Sequence, residues 1–162
     1  MTQVFQIDRR ALLATALLLA CPVAAASECV APEVLFVCPA GTVKSAIARE
    51  TLKRRAAERG LAVHVRSRGV HPEDHVSPAL AANLKADGID PAAEPALALA
   101  AADLAAPAVV IAFDEAAQAP GLERARVWTI PSWNSDYLGA KAALSTKIEA
   151  LLDELSAHRC LP

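Results

Sequence analysis

The sequence predicts an α/β fold with parallel strands, and three observations predict it. Short, continuous apolar runs at residues 34–37 and 109–113 read as strands buried on both faces. Apolar residues three and four apart at 45–59, 77–88 and 141–158 read as helices with one buried side. Strands and helices alternate along the chain, the order that right-handed crossovers impose on a parallel sheet.

The first 26 residues stand apart from that fold. Asp8-Arg9-Arg10 precedes an apolar run from Ala11, then Pro22 and Ala24-Ala25-Ala26. A basic start, a short apolar stretch and small residues at a cleavage position describe a secretory signal peptide. The paired arginines suit the twin-arginine route, and an ordinary secretory signal is the alternative. The run is too short and too rich in proline and alanine for a stable membrane span. Leu18-Leu19-Ala20-Cys21 partly resembles a lipobox, so a lipid anchor on Cys21 is a second alternative. The expected mature protein is one domain over residues 27–162, exported to the periplasm.

The elements follow in order. After the strand at 34–37, the helix at 45–59 has Ile47, Leu52 and Ala56 along one side, with Arg49, Lys53 and Arg54 expected outward. Gly60 ends it. Residues 63–67 alternate and form a second strand, where His64 and Arg66 mark a position near a sheet edge. Ser77-Pro78 opens a helix with an N-cap serine and a proline in its first turn, carrying Leu80 and Leu84 to Gly88. Residues 92–107 read as a loop with one helical turn. The third strand, at 109–113, leads into a polar segment. The fourth strand spans 126–130, and the last helix carries Leu144, Ile148, Leu151, Leu152 and Leu155 on one face.

In such sheets ligands bind beyond the carboxyl ends of the strands. The residues there are Cys38, Arg68, Asp114 and Ser132. The last helix runs back to the other end, bringing Cys160 toward Cys29. With Cys21 removed, the mature chain holds Cys29, Cys38 and Cys160, so one pair and one free thiol are expected. A Cys29–Cys160 disulfide suits an oxidising compartment. It is worth roughly 4–5 kcal/mol in the chain-entropy account.

Cys38 opens the run Cys38-Pro39-Ala40-Gly41-Thr42-Val43-Lys44-Ser45 between strand and helix. A tight loop entering a helix turns successive backbone N–H groups toward one point, and the helix N-terminus adds positive potential. That field favours a reactive thiolate, the nucleophilic form of cysteine. The ligand such a loop accepts is phosphate or a similar oxyanion. Residues 39–43 and Ser45 line it, Gly41 relaxes the turn, and Lys44 adds charge. The net charge of −2 gives no support for nucleic-acid binding.

The run Val34-Leu35-Phe36-Val37-Cys38-x5-Lys44-Ser45 is similar to the opening of the low-molecular-weight protein-tyrosine-phosphatase family, whose superfamily includes thioredoxin-coupled arsenate reductases. Ser67-Arg68-Gly69, Ala86-Asp87-Gly88-Ile89-Asp90, Ala102-Asp103-Leu104 and Trp128-Thr129-Ile130-Pro131 resemble later segments of that family. The resemblance implies a three-layer sandwich around a four-stranded parallel sheet. It implies a two-step hydrolysis needing neither metal nor cofactor. Cys38 attacks phosphorus, an aspartic acid protonates the leaving oxygen, and water releases phosphate from phosphocysteine. Lys44 and the loop hold the phosphoryl group, and Ser45 supports the sulfur.

Three departures matter. Lys44 stands where the family has arginine. Gly41 stands where it usually has asparagine. Ser132-Trp133 stands where it has Asp-Pro. Serine is no general acid at useful pH, and the missing group is worth roughly 10²–10⁴ in rate. Asp136 either replaces that acid, if the loop bends, or serves as a helix N-cap or surface charge. Trp133 and Tyr137 either line a mouth for an aromatic substrate or pack as a loop. Asp114-Glu115 belongs either near the site or at a helix start. His71-x3-His75 lacks a helical frame and a third ligand, so no metal site is expected.

Three functions follow. The first is impaired cysteine-dependent phosphomonoester hydrolysis on a phosphoprotein or other phosphorylated substrate. The second is a non-catalytic protein that binds an oxyanion or a protein partner. The third is an arsenate-reductase-like thiol oxidoreductase. It ranks last because no cysteine lies between Cys38 and Cys160.

Overall fold

Strands β1 (Glu33–Cys38), β2 (His64–Gly69), β3 (Val109–Phe113) and β4 (Arg126–Trp128) form one sheet in the order β2-β1-β3-β4. Every neighbouring pair is parallel. The computed structural model describes residues 30–157; the leader with Cys21, and both Cys29 and Cys160, lie outside the described residues. From β1 the chain crosses to β2 on one side, and β3 lies on the other. The switch point therefore falls between the carboxyl ends of β1 and β3, where open α/β sheets place ligands. Val37 pairs with Ala112, so Cys38 ends one strand beside Phe113 at the end of the other.

The apolar character of β1 follows from its central place, with Val34, Leu35, Phe36 and Val37 all wholly buried. Alternate side chains serve opposite faces. Val34 and Phe36 join Ile111 and Phe113 under the helices α1 (Lys44–Glu58), α2 (Pro78–Ala86) and α3 (Tyr137–Ala157). Ile47 and Leu52 of α1, Leu80 and Leu84 of α2, and Leu144, Ile148 and Leu152 of α3 complete that core. Phe36, Phe113 and Trp128 touch ring to ring, at centroid separations of 5.7–6.1 Å, and stitch three strands together. Leu35, Val37 and Ala112 face the other side, where short 3₁₀ turns carry Ala116 and half-buried Leu104 over them. The sandwich thus has a helical layer, a sheet and a thinner layer of turns.

Several boundaries differ from the sequence expectation, β2 running on to Gly69 and α2 stopping at Ala86 among them, and two flank the loop after β4. Helix α3 begins at Tyr137, four residues early, because Asp136 caps it: its carboxylate accepts from the Gly139 amide at 2.9 Å. β4 ends at Trp128, and the chain leaves the sheet before Ile130.

Arg49 does not point outward. It is 1% exposed and fully partnered. Its guanidinium donates to Ser67 Oγ at 2.7 Å, to the Pro91 carbonyl at 3.1 Å and to Glu50 at 2.6 Å, with Glu94 at 3.6 Å. A buried charge persists only with such compensation. Its partners come from β2 and from the turn after α2, so this residue ties three parts of the chain together.

Candidate active site

The turn from β1 into α1 is fixed by backbone bonds on its outer side. The carbonyls of Cys38, Pro39 and Ala40 accept from the amides of Val70, His71 and Glu73 at 3.1, 2.8 and 3.0 Å. Gly41 has φ +75°, a conformation costly for other residues. A Cβ there would lie 2.9 Å from the Gly69 nitrogen, and one on Gly69 would lie 2.9 Å from the Gly41 nitrogen. Two backbones touch, and only a pair of glycines permits it.

With its carbonyls turned outward, the loop has its amides free for the interior. The Gly41 amide donates to Cys38 Sγ at 3.1 Å. Among the described residues the amides of Thr42, Val43, Lys44 and Ser45 donate to no other atom, and α1 carries no side-chain cap. An uncapped helix N-terminus with unspent N–H groups is an anion-binding arrangement. Ser45 Oγ lies 3.1 Å from Cys38 Sγ, and 3.3 and 3.4 Å from the Gly41 and Arg68 carbonyls. The hydroxyl therefore links the sulfur to the loop and to the end of β2.

Cys38 is 2% exposed and lies at the floor of an open cleft of about 470 Å³. Pro39, Ala40, Val43 and Lys44 line one side. Asp114, Glu115, Ser132, Trp133 and Asn134 line the other. Gly41 and Thr42 face a second hollow of about 380 Å³ on the other side of the loop, beside Glu73 and Asp74. The structure thus gathers Cys38, residues 39–43, Lys44, Ser45 and Trp133 around one turn. Asp136 is not among the cleft residues; its carboxylate is spent on capping α3.

Lys44 is held from both sides. Its ammonium pairs with the Asp114 carboxylate and donates to the Ile130 carbonyl at 3.1 Å. Asp114 has φ +52°, the only non-glycine residue with positive φ among those described. Sequence alone left Asp114-Glu115 open between the site and a helix start. Asp114 does both, opening the 3₁₀ turn Asp114–Gln118 while its carboxylate holds Lys44. The Ile130 carbonyl had no signal, since any residue carries one.

Arg68 does not replace the missing arginine. It pairs with Asp103 at 2.8 Å and donates to the Ser67 carbonyl at 2.9 Å. Burial pushes the Asp103 carboxyl up, but hydrogen bonds from Arg68 and the Ala100 amide, with the charges of Arg68 and Arg66, hold it below the ordinary range.

Trp133 is 3% exposed and meets Tyr137 edge-on at 5.4 Å. It lines the cleft and packs in its loop at once. Its Nε1 and Thr42 Oγ1 are buried without a hydrogen-bond partner among the described residues. Tyr137 donates to Asp87 at 2.5 Å, and Lys141 donates to the same carboxylate at 2.7 Å. These bonds to Lys141 and then Tyr137 hold the Asp87 carboxyl below its ordinary range. Burial, then the bond to Asp87, pushes the Tyr137 phenol up. The loop carrying Trp133 is thereby anchored to the end of α2.

Among the described residues no group of three His, Cys, Asp or Glu side chains is placed to hold a metal ion. No helix among them is long and apolar enough to cross a membrane.

Comparison with solved structures gives the same fold at low identity. YfkJ from Bacillus subtilis is 18% identical, covered over 82% of this chain and 99% of its own, with a TM-score of 0.63. An arsenate reductase in the phosphate binding state is also 18% identical, covered over 76% and 98%, with a TM-score of 0.63. YwlE arginine phosphatase from Geobacillus stearothermophilus is 22% identical, covered over 78% and 94%, with a TM-score of 0.61. No curated protein matches the chain. Residues 33–146 match the family described as low molecular weight phosphotyrosine protein phosphatase, from the first strand into the last helix, and the chain belongs to that family.

Proposed function

We propose that this protein hydrolyses phosphomonoesters through a phosphocysteine on Cys38, at reduced efficiency. One observation carries the reading. Cys38 Sγ lies at the floor of a cleft, bonded by the Gly41 amide and Ser45 Oγ, beneath loop amides that no group among the described residues uses. Those amides suit the phosphoryl oxygens, and Sγ suits in-line attack on phosphorus from below. The P–O bond opposite sulfur breaks, and water then attacks the phosphocysteine and returns the thiol. The efficiency is reduced because Lys44 has one nitrogen, already shared by two acceptors, and because Ser132 offers no acidic proton.

The same commitment of Lys44 favours a second reading, an oxyanion- or partner-binding protein without turnover. An arsenate-reductase-like role has least support, because Cys38 is the one free cysteine among the described residues and a thiol relay needs more. We also propose that the domain works in the periplasm with Cys29 bonded to Cys160, on the strength of the signal-like leader and the cysteine count. Intact mass after alkylation, with and without reductant, should show one protected pair in exported protein; three alkylated thiols refute it.

For the catalytic reading, the test is p-nitrophenyl phosphate turnover by wild type and Cys38→Ser, with phosphate binding measured on both. Slow turnover that disappears in the variant supports hydrolysis. Equal inertness with phosphate still bound leaves the binding protein.

A further inference from the structure

We propose that Glu115 donates the proton to the leaving oxygen in place of the absent aspartic acid. The inference rests on Cys38 being the nucleophile. In-line displacement puts the leaving oxygen opposite the attacking sulfur. Cys38 is at the cleft floor, so the leaving group faces the mouth, and its acid must stand on the rim. Among the described residues two carboxyls line this cleft, Asp114 and Glu115. Asp114 is half-buried and bound in an ion pair with Lys44, so its charge is spent on the lysine. Asp136, the other acid nearby in sequence to the altered loop, caps α3. Glu115 is exposed on the rim. The left-handed Asp114 sets the direction in which the chain leaves β3 and hence where Glu115 stands.

The step balances. Cys38 Sγ forms the S–P bond as the P–O bond of the ester breaks, and the electron pair leaves with the oxygen. That oxygen takes the carboxyl proton of Glu115 and departs as the neutral alcohol. The resulting carboxylate then takes a proton from the water that attacks phosphocysteine; the S–P bond breaks as the new P–O bond forms, the sulfur leaves as the thiolate that began the cycle, and the acid is restored.

The test compares kcat/KM of wild type and Glu115→Gln on phenyl phosphate and p-nitrophenyl phosphate. The ratio kcat/KM reports the first, leaving-group-expelling step. Phenolate is the poorer leaving group and needs the proton more. Glu115→Gln should lower kcat/KM for phenyl phosphate by about 10²-fold. That loss should be roughly ten times larger than the loss on p-nitrophenyl phosphate. Equal losses on the two esters, or a gain on both, overturn the assignment to Glu115 alone. Absence of Cys38-dependent turnover in wild type overturns it together with the hydrolytic reading. Unchanged urea midpoints for Glu115→Gln separate either result from a folding defect.

Discussion

The Lys44 ammonium and the Asp114 carboxylate, 70 residues apart in sequence, form an ion pair at the wall of the cleft above Cys38. Lysine offers three donors on one nitrogen, and Asp114 and the Ile130 carbonyl take two. At most one remains for a bound anion. Arginine has five donors in a planar fork and serves both neighbours while still presenting N–H groups to the phosphoryl oxygens. Lys44→Arg should therefore raise kcat/KM for p-nitrophenyl phosphate by at least about tenfold, the worth of one charge-assisted hydrogen bond of roughly 1.5 kcal/mol. Steady-state kinetics on the two proteins check it. No gain would mean that proton transfer to the leaving oxygen, and not the grip of Lys44 on the phosphoryl group, limits turnover.

The contact between Gly41 and Gly69 is as exposed to test as the lysine. Gly69→Ala places a methyl 2.9 Å from the Ala40 carbonyl carbon and the Gly41 nitrogen, both of them backbone. Neither can move without shifting the loop, so the substitution should cost about 1–3 kcal/mol in urea unfolding. Phosphate should also lose its protection of Cys38 against iodoacetate, because the loop amides no longer converge. Gly60→Ala is the control: its φ is left-handed, at +62°, unlike that of Gly69, but a Cβ there meets nothing within 4 Å. It should lose stability from backbone strain while keeping phosphate protection.

The contrast between Lys44 and Arg49 shows how far the sequence could be read. The β1–loop–α1 turn was legible because its signals are local: an apolar strand, a cysteine, glycine in the turn and a helix behind it. The parallel sheet was legible because alternation of elements leaves few topologies. Arg49 departs from its expected outward position, because a charged residue amid Lys53 and Arg54 normally faces water and nothing local signals otherwise. Its burial is set by Ser67, Pro91 and Glu94, 18 to 45 residues away. Asp114 stands at a strand end in the sequence pattern, but nothing local says that its partner is Lys44. The early start of α3 was hidden for a related reason, since a cap at Asp136 outweighs the poor helix propensity of Gly139.

Arg49 should accordingly behave as a structural residue. Arg49→Met removes every donor to Ser67 and the Pro91 carbonyl and leaves Ser67, 2% exposed, without that donor. Breaking a buried charged network in this way costs roughly 3–5 kcal/mol. The lower end is expected, because Glu50 and Glu94 reach solvent. Calorimetry should show a lowered Tm. Arg49→Lys should recover only part of it, since one ammonium cannot span three partners.

The Asp87 carboxylate gives a pH signature of its own. Hydrogen bonds from Lys141 and Tyr137 hold its folded-state pKa below the ordinary value. For a carboxyl depressed in this way, the unfolded state binds the proton first as pH falls. Its stabilising contribution is fully present above the unfolded pKa, about 3.9. It fades as pH drops toward the lower folded value. Asp87→Asn removes that contribution at neutral pH and has none to lose in acid. The stability gap between wild type and Asp87→Asn should therefore be constant from pH 7 to about 5 and close as pH falls below about 4. Urea titrations followed by fluorescence of the buried Trp128 and Trp133 measure it at each pH. A gap that stays constant into acid would mean that Tyr137 and Lys141 hold the protonated and ionised carboxyl equally well, and that the anchor of the Trp133 loop is not ionic.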